Sequence, residues 1–312
     1  MSKKWWSLTV ALVLVMGLLA GCGSKSGTSN DAASSSPSAS DTASASPSES
    51  ASASPSESPS AGGNVTGSVT ASGSTALQPL VTLAGDKFMA ANSGADVKVT
   101  GGGSGTGVKN VAGGISDIGN SDVAADAQYK DTLVDHVVAI APFVLIVSKD
   151  VNVEDLTKQQ AADIFTGKIK NWKEVGGADK PINLIHRQES SGSRKLVKKI
   201  ILDGAEFASG GVTQESSKTV AQAVAQGQGS IGYVDAPYVT DQVKALKLNG
   251  AEFTKDNIAS GKYILYGTEH MYTKGEPQGA VKAFLDYITS KEFIESPEAA
   301  KLGFLPADLV KQ

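Results

Sequence analysis

The chain of 312 residues has a single cysteine and three histidines. One thiol, Cys22, can close no internal disulfide, so no covalent staple holds the fold. His136, His186 and His270 lie far apart, without the H-x-x-x-H or H-E-x-x-H spacing that places two ligands on one helix face. A G-x-S-x-G nucleophile elbow is missing as well. The glycine-rich stretch at 101–108 fails the G-x-G-x-x-G pattern in every register. It fails the P-loop too, because Val108 stands between Gly107 and Lys109. These absences remove the usual metal ligands and activated nucleophiles of hydrolases. No catalytic residue, metal or cofactor is therefore expected. An excess of positive charge is also lacking, with 28 basic residues against 32 acidic ones and a formal charge of −4. Without Lys3 and Lys4 the balance falls to −6. Such a chain is a poor nucleic-acid binder, and an anion must be held by local geometry rather than by bulk charge.

What is present begins with an apolar run, Leu8 to Ala20, behind Lys3 and Lys4. A charged start and a short apolar stretch are the layout of a secretory leader. The run is short for a membrane span, which takes about 20 apolar residues; an uncleaved anchor helix is the alternative. Leu19-Ala20-Gly21-Cys22 resembles the lipobox of bacterial lipoproteins. That resemblance implies cleavage after residues 1–21 and diacylation of Cys22, and two acyl chains anchor stably where one does not. The segment 22–64 is almost wholly Ser, Ala, Pro and Gly with a few acidic residues. It has too little apolar surface to offset the entropy of ordering and reads as a disordered tether. A coil of that length spans on the order of 35 Å r.m.s..

From 65 onward, short β-type runs alternate with helical patterns, which predicts α/β architecture with largely parallel sheets. Strands are expected at 65–71, 97–100, 115–119, 136–148, 182–186, 230–234 and 263–273. Helices are expected at 77–91, 108–113, 158–166, 193–202, 219–226, 280–289 and 291–296. The strands at 136–148 and 263–273 exceed the normal five to six residues or so. Each is either two strands with a missed turn or a long strand passing between two sheets. Two long strands would make a hinge, with lobe I at 65–142 and 263–312 and lobe II at 143–262.

Four loops carry groups suited to an oxyanion. "GSTAL" at 73–77 follows a strand, and Thr75 and Gln78 have capping-box spacing, so a helix N-terminus with free N–H groups should lie there. "GGGSGTGV" at 101–108 either lets backbone N–H groups approach a ligand or is a flexible turn. "IGNSDV" at 118–123 puts Ser121 and Asp122 in a loop. "RQESSGSRKLV" at 187–197 combines Arg187, able to make bidentate charge-assisted bonds, with a Ser-Gly-Ser helix start.

These loops in this order, with "LTKQQAADIFTGKIKNWKEVGG" at 156–177 and "GSIGYV" at 229–234, resemble the phosphate-binding proteins of Pst-type ABC transporters. The resemblance covers nearly all of 65–312 and implies the two-lobed type II periplasmic-binding-protein fold. Each lobe would be a mostly parallel sheet flanked by helices, and a two-strand hinge would join the lobes. It implies phosphate contacts from Thr75 and the N–H of Ala76, from Ser104, from Asp122, and from Arg187, Ser191, Gly192 and Ser193. Glu189 falls where some relatives have aspartate. It further implies a monomer lipid-anchored on the extracytoplasmic face of the cell membrane, delivering inorganic phosphate to a permease and ATPase complex.

A carboxylate in an anion site makes sense once protons are counted. Phosphate carries an O–H near neutrality and sulfate does not, so Asp122 can accept from one and repels the other. A different oxyanion (sulfate, molybdate or tungstate) and a surface adhesin are the competing readings. The adhesin leaves the four loops without a role.

Overall fold

The computed structural model describes residues 64–310. The expected leader at 1–21, the lipidation site Cys22 and the tether at 22–64, apart from Asn64, lie outside the described residues, as do 311–312.

The described chain forms an α/β fold around one mixed sheet. Its principal strands are β1 (Thr66–Gly73), β2 (Gly94–Thr100), β3 (Ile118–Ser121), β4 (Leu133–Val147), β5 (Asn183–Arg187), β6 (Val212–Gln214), β7 (Ser230–Asp235) and β8 (Tyr266–Lys274). Their spatial order is β2-β1-β3-β8-β4-β7-β5-β6, and two short strands at 244–245 and 305–306 add to β4. The principal helices are α1 (Gln78–Ala91), α2 (Ser104–Ala112), α3 (Lys158–Phe165), α4 (Gly192–Ile200), α5 (Ser217–Gln226) and α6 (Gly279–Ile288).

β4 organises the rest. Every residue from Val138 to Val147 is buried, as expected of a strand covered on both faces. Its first part pairs with β8 as far as Pro142, and its second part pairs with β7 from Phe143 onward. Pro142 has no N–H to give a ladder, and it sits where β4 exchanges one partner for the other. The long strand expected at 136–148 is therefore one strand. The second expected long strand is shorter: β8 starts at Tyr266, and 263–265 is irregular. That irregular stretch is still tied to β4, since Phe143 N–H donates to Leu265 O (3.0 Å) and Tyr263 O–H donates to Phe143 O (2.6 Å).

The sheet is mixed rather than mostly parallel in each half. β1, β2 and β3 are parallel to one another, as are β5, β6 and β7. β8, however, lies antiparallel to both β3 and β4. The chain leaves the first group of strands along β4 and returns beside it along β8, so the two must run in opposite senses. β7 is antiparallel to β4 as well. The carboxyl ends of β1–β3 and those of β5–β7 consequently point toward each other across the middle of β4.

Helices α1, α2 and α6 pack on the first group of strands and α5 on the second. Phe88 of α1 meets Phe284 of α6 edge to face, with ring centroids 5.5 Å apart. α4 shows how the pattern specifies a helix here: Leu196 and Val197 are buried, while Lys198 and Lys199 occupy the last turn, where the helix dipole favours cations.

Gly73 closes β1 with φ of 133°, a conformation that disfavours side chains. A Cβ there would lie 2.8 Å from Gly107 Cα and collide with the carbonyl of Asn120. Gly73→Ala is expected to destabilise the protein by about 2–3 kcal/mol. The loss would be read as a lower denaturant midpoint with an unaltered slope; an unshifted midpoint would contradict this packing.

Candidate functional site

Four loops meet where the two sets of carboxyl ends face each other, the region in which open α/β sheets hold ligands. After β1, Ser74 rather than Thr75 caps the turn into α1. Ser74 Oγ accepts from the N–H groups of Ala76 and Leu77 (3.0 Å each) and donates to Asp122 Oδ1. The Thr75 and Gln78 spacing therefore makes no capping box, and Leu77 at the N-cap of α1 makes no side-chain bond. Thr75 Oγ1 instead accepts from Arg187 Nη2 (3.0 Å) and from Ser217 N–H (3.2 Å).

After β2, Ser104 opens α2, and its Oγ accepts from the N–H of Asp122 at 3.0 Å. After β5, Ser191 caps α4 by accepting from Arg194 N–H, and Ser193 Oγ donates to Asp122 Oδ2 at 3.3 Å. Gly192 lies between them against Asp122. An added Cβ would stand 2.7 Å from Asp122 Oδ2 and collide with Ser104 Oγ. No other residue type fits such an approach. The loops are also bonded to one another: Gly105 N–H donates to Ser190 O (2.8 Å), and Tyr238 O–H donates to Thr75 O (3.0 Å).

Arg187 is 2% exposed and is the one buried guanidinium or ammonium among the described residues. Its backbone N–H donates to Tyr233 Oη (3.2 Å). Nη1 donates to Ser217 Oγ (3.1 Å), while Nη2 reaches Thr75 Oγ1 and Glu215 O. Nε has no acceptor among the described residues. Near it stand two fully buried carboxyls, Asp122 and Asp235, and a third, Glu269, lies beside those two. Burial pushes the Asp122 carboxyl up, and the Ser74 hydroxyl and the Arg187 charge pull it partly back. Burial with the nearby Asp122 charge pushes Asp235 well above the carboxylate range, and burial with the charges of Asp122 and Asp235 does the same to Glu269.

Of the residues expected from the sequence, Thr75, Ala76, Ser104, Asp122, Arg187, Ser191, Gly192 and Ser193 are all buried and brought together. The Ala76 N–H is engaged by Ser74. Glu189 is not brought in: its side chain is 86% exposed and pairs with Arg194 Nη2 at 2.7 Å. The structure adds Ser74, Ser217, Tyr238, Asp235 and Glu269. Asp235 directly follows "GSIGYV", and Glu269 is an acid inside an expected strand. Both positions were visible in the sequence, although their burial was not. Among the described residues no group of three His, Cys, Asp or Glu could hold a metal ion. A concavity of about 730 Å³ around Ile164, Leu184 and Val212 is lined by none of these residues. A smaller one of about 260 Å³, lined by Ser104, Ser121, Ser190 and Lys195, adjoins the loops.

Comparison with known proteins identifies the family. Residues 50–292 match the PBP superfamily domain. The phosphate-binding protein PstS of Bacillus subtilis is 45% identical over 244 residues, which span 77% of this chain and 81% of that protein. A crystal structure of a phosphate ABC transporter substrate-binding protein from Clostridium perfringens, with bound phosphate, superimposes with a TM-score of 0.73 at 31% identity, covering 77% of this chain and 99% of the other. An ABC-type phosphate transport receptor from Vibrio cholerae shares the fold, with a TM-score of 0.62 at 24% identity over 76% of this chain and 99% of the other. The chain belongs to the PBP superfamily and, within it, to the PstS family of phosphate-binding proteins.

Proposed function

We propose that this chain is the extracytoplasmic receptor that captures inorganic phosphate for a Pst-type ABC transporter, a binding protein rather than an enzyme. The observation that carries this reading is a buried Arg187 whose Nε still lacks an acceptor, held in one cluster with a buried carboxylate acceptor, Asp122. Unsatisfied buried donors are rare and costly. An anion that also carries an O–H answers both groups at once, and phosphate near neutrality is such an anion.

In this reading Thr75, Ala76, Ser104, Ser191, Gly192 and Ser193 complete the cradle with hydroxyl and backbone groups, and Glu189 remains outside. The exchange of β4 partners at Pro142 and Phe143 supports two lobes, 65–142 with 263–312 and 143–262, linked by β4 and the irregular stretch beside it. A ligand held by loops of both lobes biases them toward closure. The closed form would then dock on the permease and ATPase complex. Cys22 with its acyl chains and the tether at 22–64 would hold the receptor near that complex. Relatives bearing the phosphate-binding name and the phosphate-bound relative of similar fold favour phosphate over sulfate, molybdate or tungstate.

Titration calorimetry on the full-length protein, freed of bound anion, is expected to give one phosphate per chain and no sulfate signal. Sites that bond a substrate hydroxyl can reject an analogue lacking it by roughly 10⁴–10⁵. Asp122→Asn replaces the acceptor with an amide that can also donate. It should weaken phosphate by about tenfold to a hundredfold and let sulfate bind. Sulfate binding by the wild type would remove the role given to Asp122, and no phosphate binding would overturn the whole reading. Glu189→Gln should leave phosphate affinity within about fivefold, since an exposed ion pair contributes little. A larger loss would place Glu189 at the ligand after all.

A further inference from the structure

Glu269 is an acid in a setting that gives a carboxylate nothing to bind. It lies on β8 where the ladder with β4 shifts register between Glu269 and His270, and such irregularities re-aim a side chain. On the other edge of β8, His270 pairs with Ser121, the last residue of β3. One step further along each strand stand Glu269 and Asp122. Glu269 is fully buried, and neither carboxyl oxygen has a hydrogen-bond partner among the described residues. Asp235, at the end of β7, is in the same condition. The titratable groups that face Glu269 are Asp122 from the end of β3 and Asp235 from the end of β7, with the guanidinium of Arg187 from β5 beside those two. His270, next on β8, is occupied with Asp135 of β4 at 2.9 Å.

Three ionised carboxyls against one guanidinium, away from water, would be a large uncompensated cost. As carboxylates, Asp122 and Glu269 are both acceptors and can form no bond with each other. With one proton between them they form a strong one. Physical grounds favour the charge on Asp122: the Ser74 and Ser193 hydroxyls donate to it and Arg187 lies near it, whereas Glu269 has no such support. The proton therefore belongs on Glu269.

We propose that Glu269 is a positioning residue of the phosphate site, a protonated carboxyl that donates to Asp122 and holds it as an acceptor for the ligand's own O–H. The proposal rests on the phosphate reading above and deepens it. Phosphate needs an ionised acceptor, and burial works against ionisation of Asp122. The Glu269 O–H offsets part of that cost and fixes the direction of the carboxylate. Two consequences follow from the chemistry. Removing the donor lets Asp122 take up a proton and become a donor itself, so discrimination against sulfate weakens. Raising the pH far enough to ionise Glu269 sets two carboxylates against each other, so phosphate affinity falls with rising pH. Inorganic phosphate itself passes from H2PO4− to HPO4²− near neutrality, so only the part of the decline that Glu269→Gln removes belongs to Glu269.

The test is phosphate and sulfate titration of the full-length wild type, Glu269→Gln and Glu269→Leu between about pH 6 and about pH 10. At neutral pH Glu269→Leu is expected to bind phosphate about tenfold to a hundredfold more weakly and to acquire sulfate binding. The amide of Glu269→Gln supplies an N–H donor, so it should restore most of that affinity and the rejection of sulfate. It cannot ionise, so the alkaline decline of the wild type should flatten. Equal behaviour of the two variants, or an alkaline decline as steep in Glu269→Gln as in the wild type, would overturn the proposal. If Glu269→Leu does not fold, the comparison of wild type with Glu269→Gln still decides. So does infrared spectroscopy, in which Glu269→Gln should lose part of the protonated-carboxyl carbonyl band at neutral pH; an unaltered band would overturn the assignment of the proton. A wild type that binds no phosphate would remove the site reading and this proposal together, whereas a phosphate-binding wild type with equivalent variants removes this proposal alone.

Discussion

The placement of Asp122 and Arg187 in one dry cluster is the constraint on which the rest of the structure depends. Removing each ion from water costs several kcal/mol, and their attraction repays this only with further hydrogen bonds in good geometry. Those bonds come from the loops: Ser74, Ser193 and the Ser104-bound backbone around Asp122, and Thr75, Ser217 and Glu215 O around Arg187. The cradle is built largely from small hydroxyl residues and glycine. Larger side chains could not bring two sets of loops this close.

The fold supplies the meeting point. β4 runs through both groups of strands in one direction, and β7 pairs against it. The carboxyl ends of β1–β3 and of β5–β7 are thereby turned toward a common region. Residues separated by more than a hundred positions, such as Thr75 and Arg187, are joined there by a direct bond. In the proposed reading, selectivity follows from proton bookkeeping rather than from net charge, which is negative overall. In that reading an acidic protein holds an anion because one guanidinium is concentrated where water is not, and because burial favours the protonated form of the carboxyls beside it.

Much of this was legible in the sequence, and the exceptions have physical causes. The four loops were readable because glycine density and a Ser-Gly-Ser helix start express local backbone requirements. β4 was readable as a long apolar run. The antiparallel course of β8 was not, because strand direction depends on where the chain returns and not on residue pattern. The outward turn of Glu189 to Arg194 was not legible either, because the direction of a loop side chain beside Arg187 is not set by local pattern. The Thr75 and Gln78 spacing fits a capping box, but Ser74, one residue earlier, makes the cap. Asp235 and Glu269 were single acids in plausible strands, and only the register of β8 and β7 reveals that they are buried beside a third.

The most direct measurement is a high-resolution crystal structure of the protein with phosphate. The account predicts one anion in contact with both groups, with an oxygen on the Arg187 guanidinium and another within about 2.5–2.7 Å of an Asp122 carboxylate oxygen, the distance of a charge-assisted O–H···O⁻ bond. A phosphate bound to Arg187 but turned away from Asp122, or bound elsewhere in the protein, would contradict it.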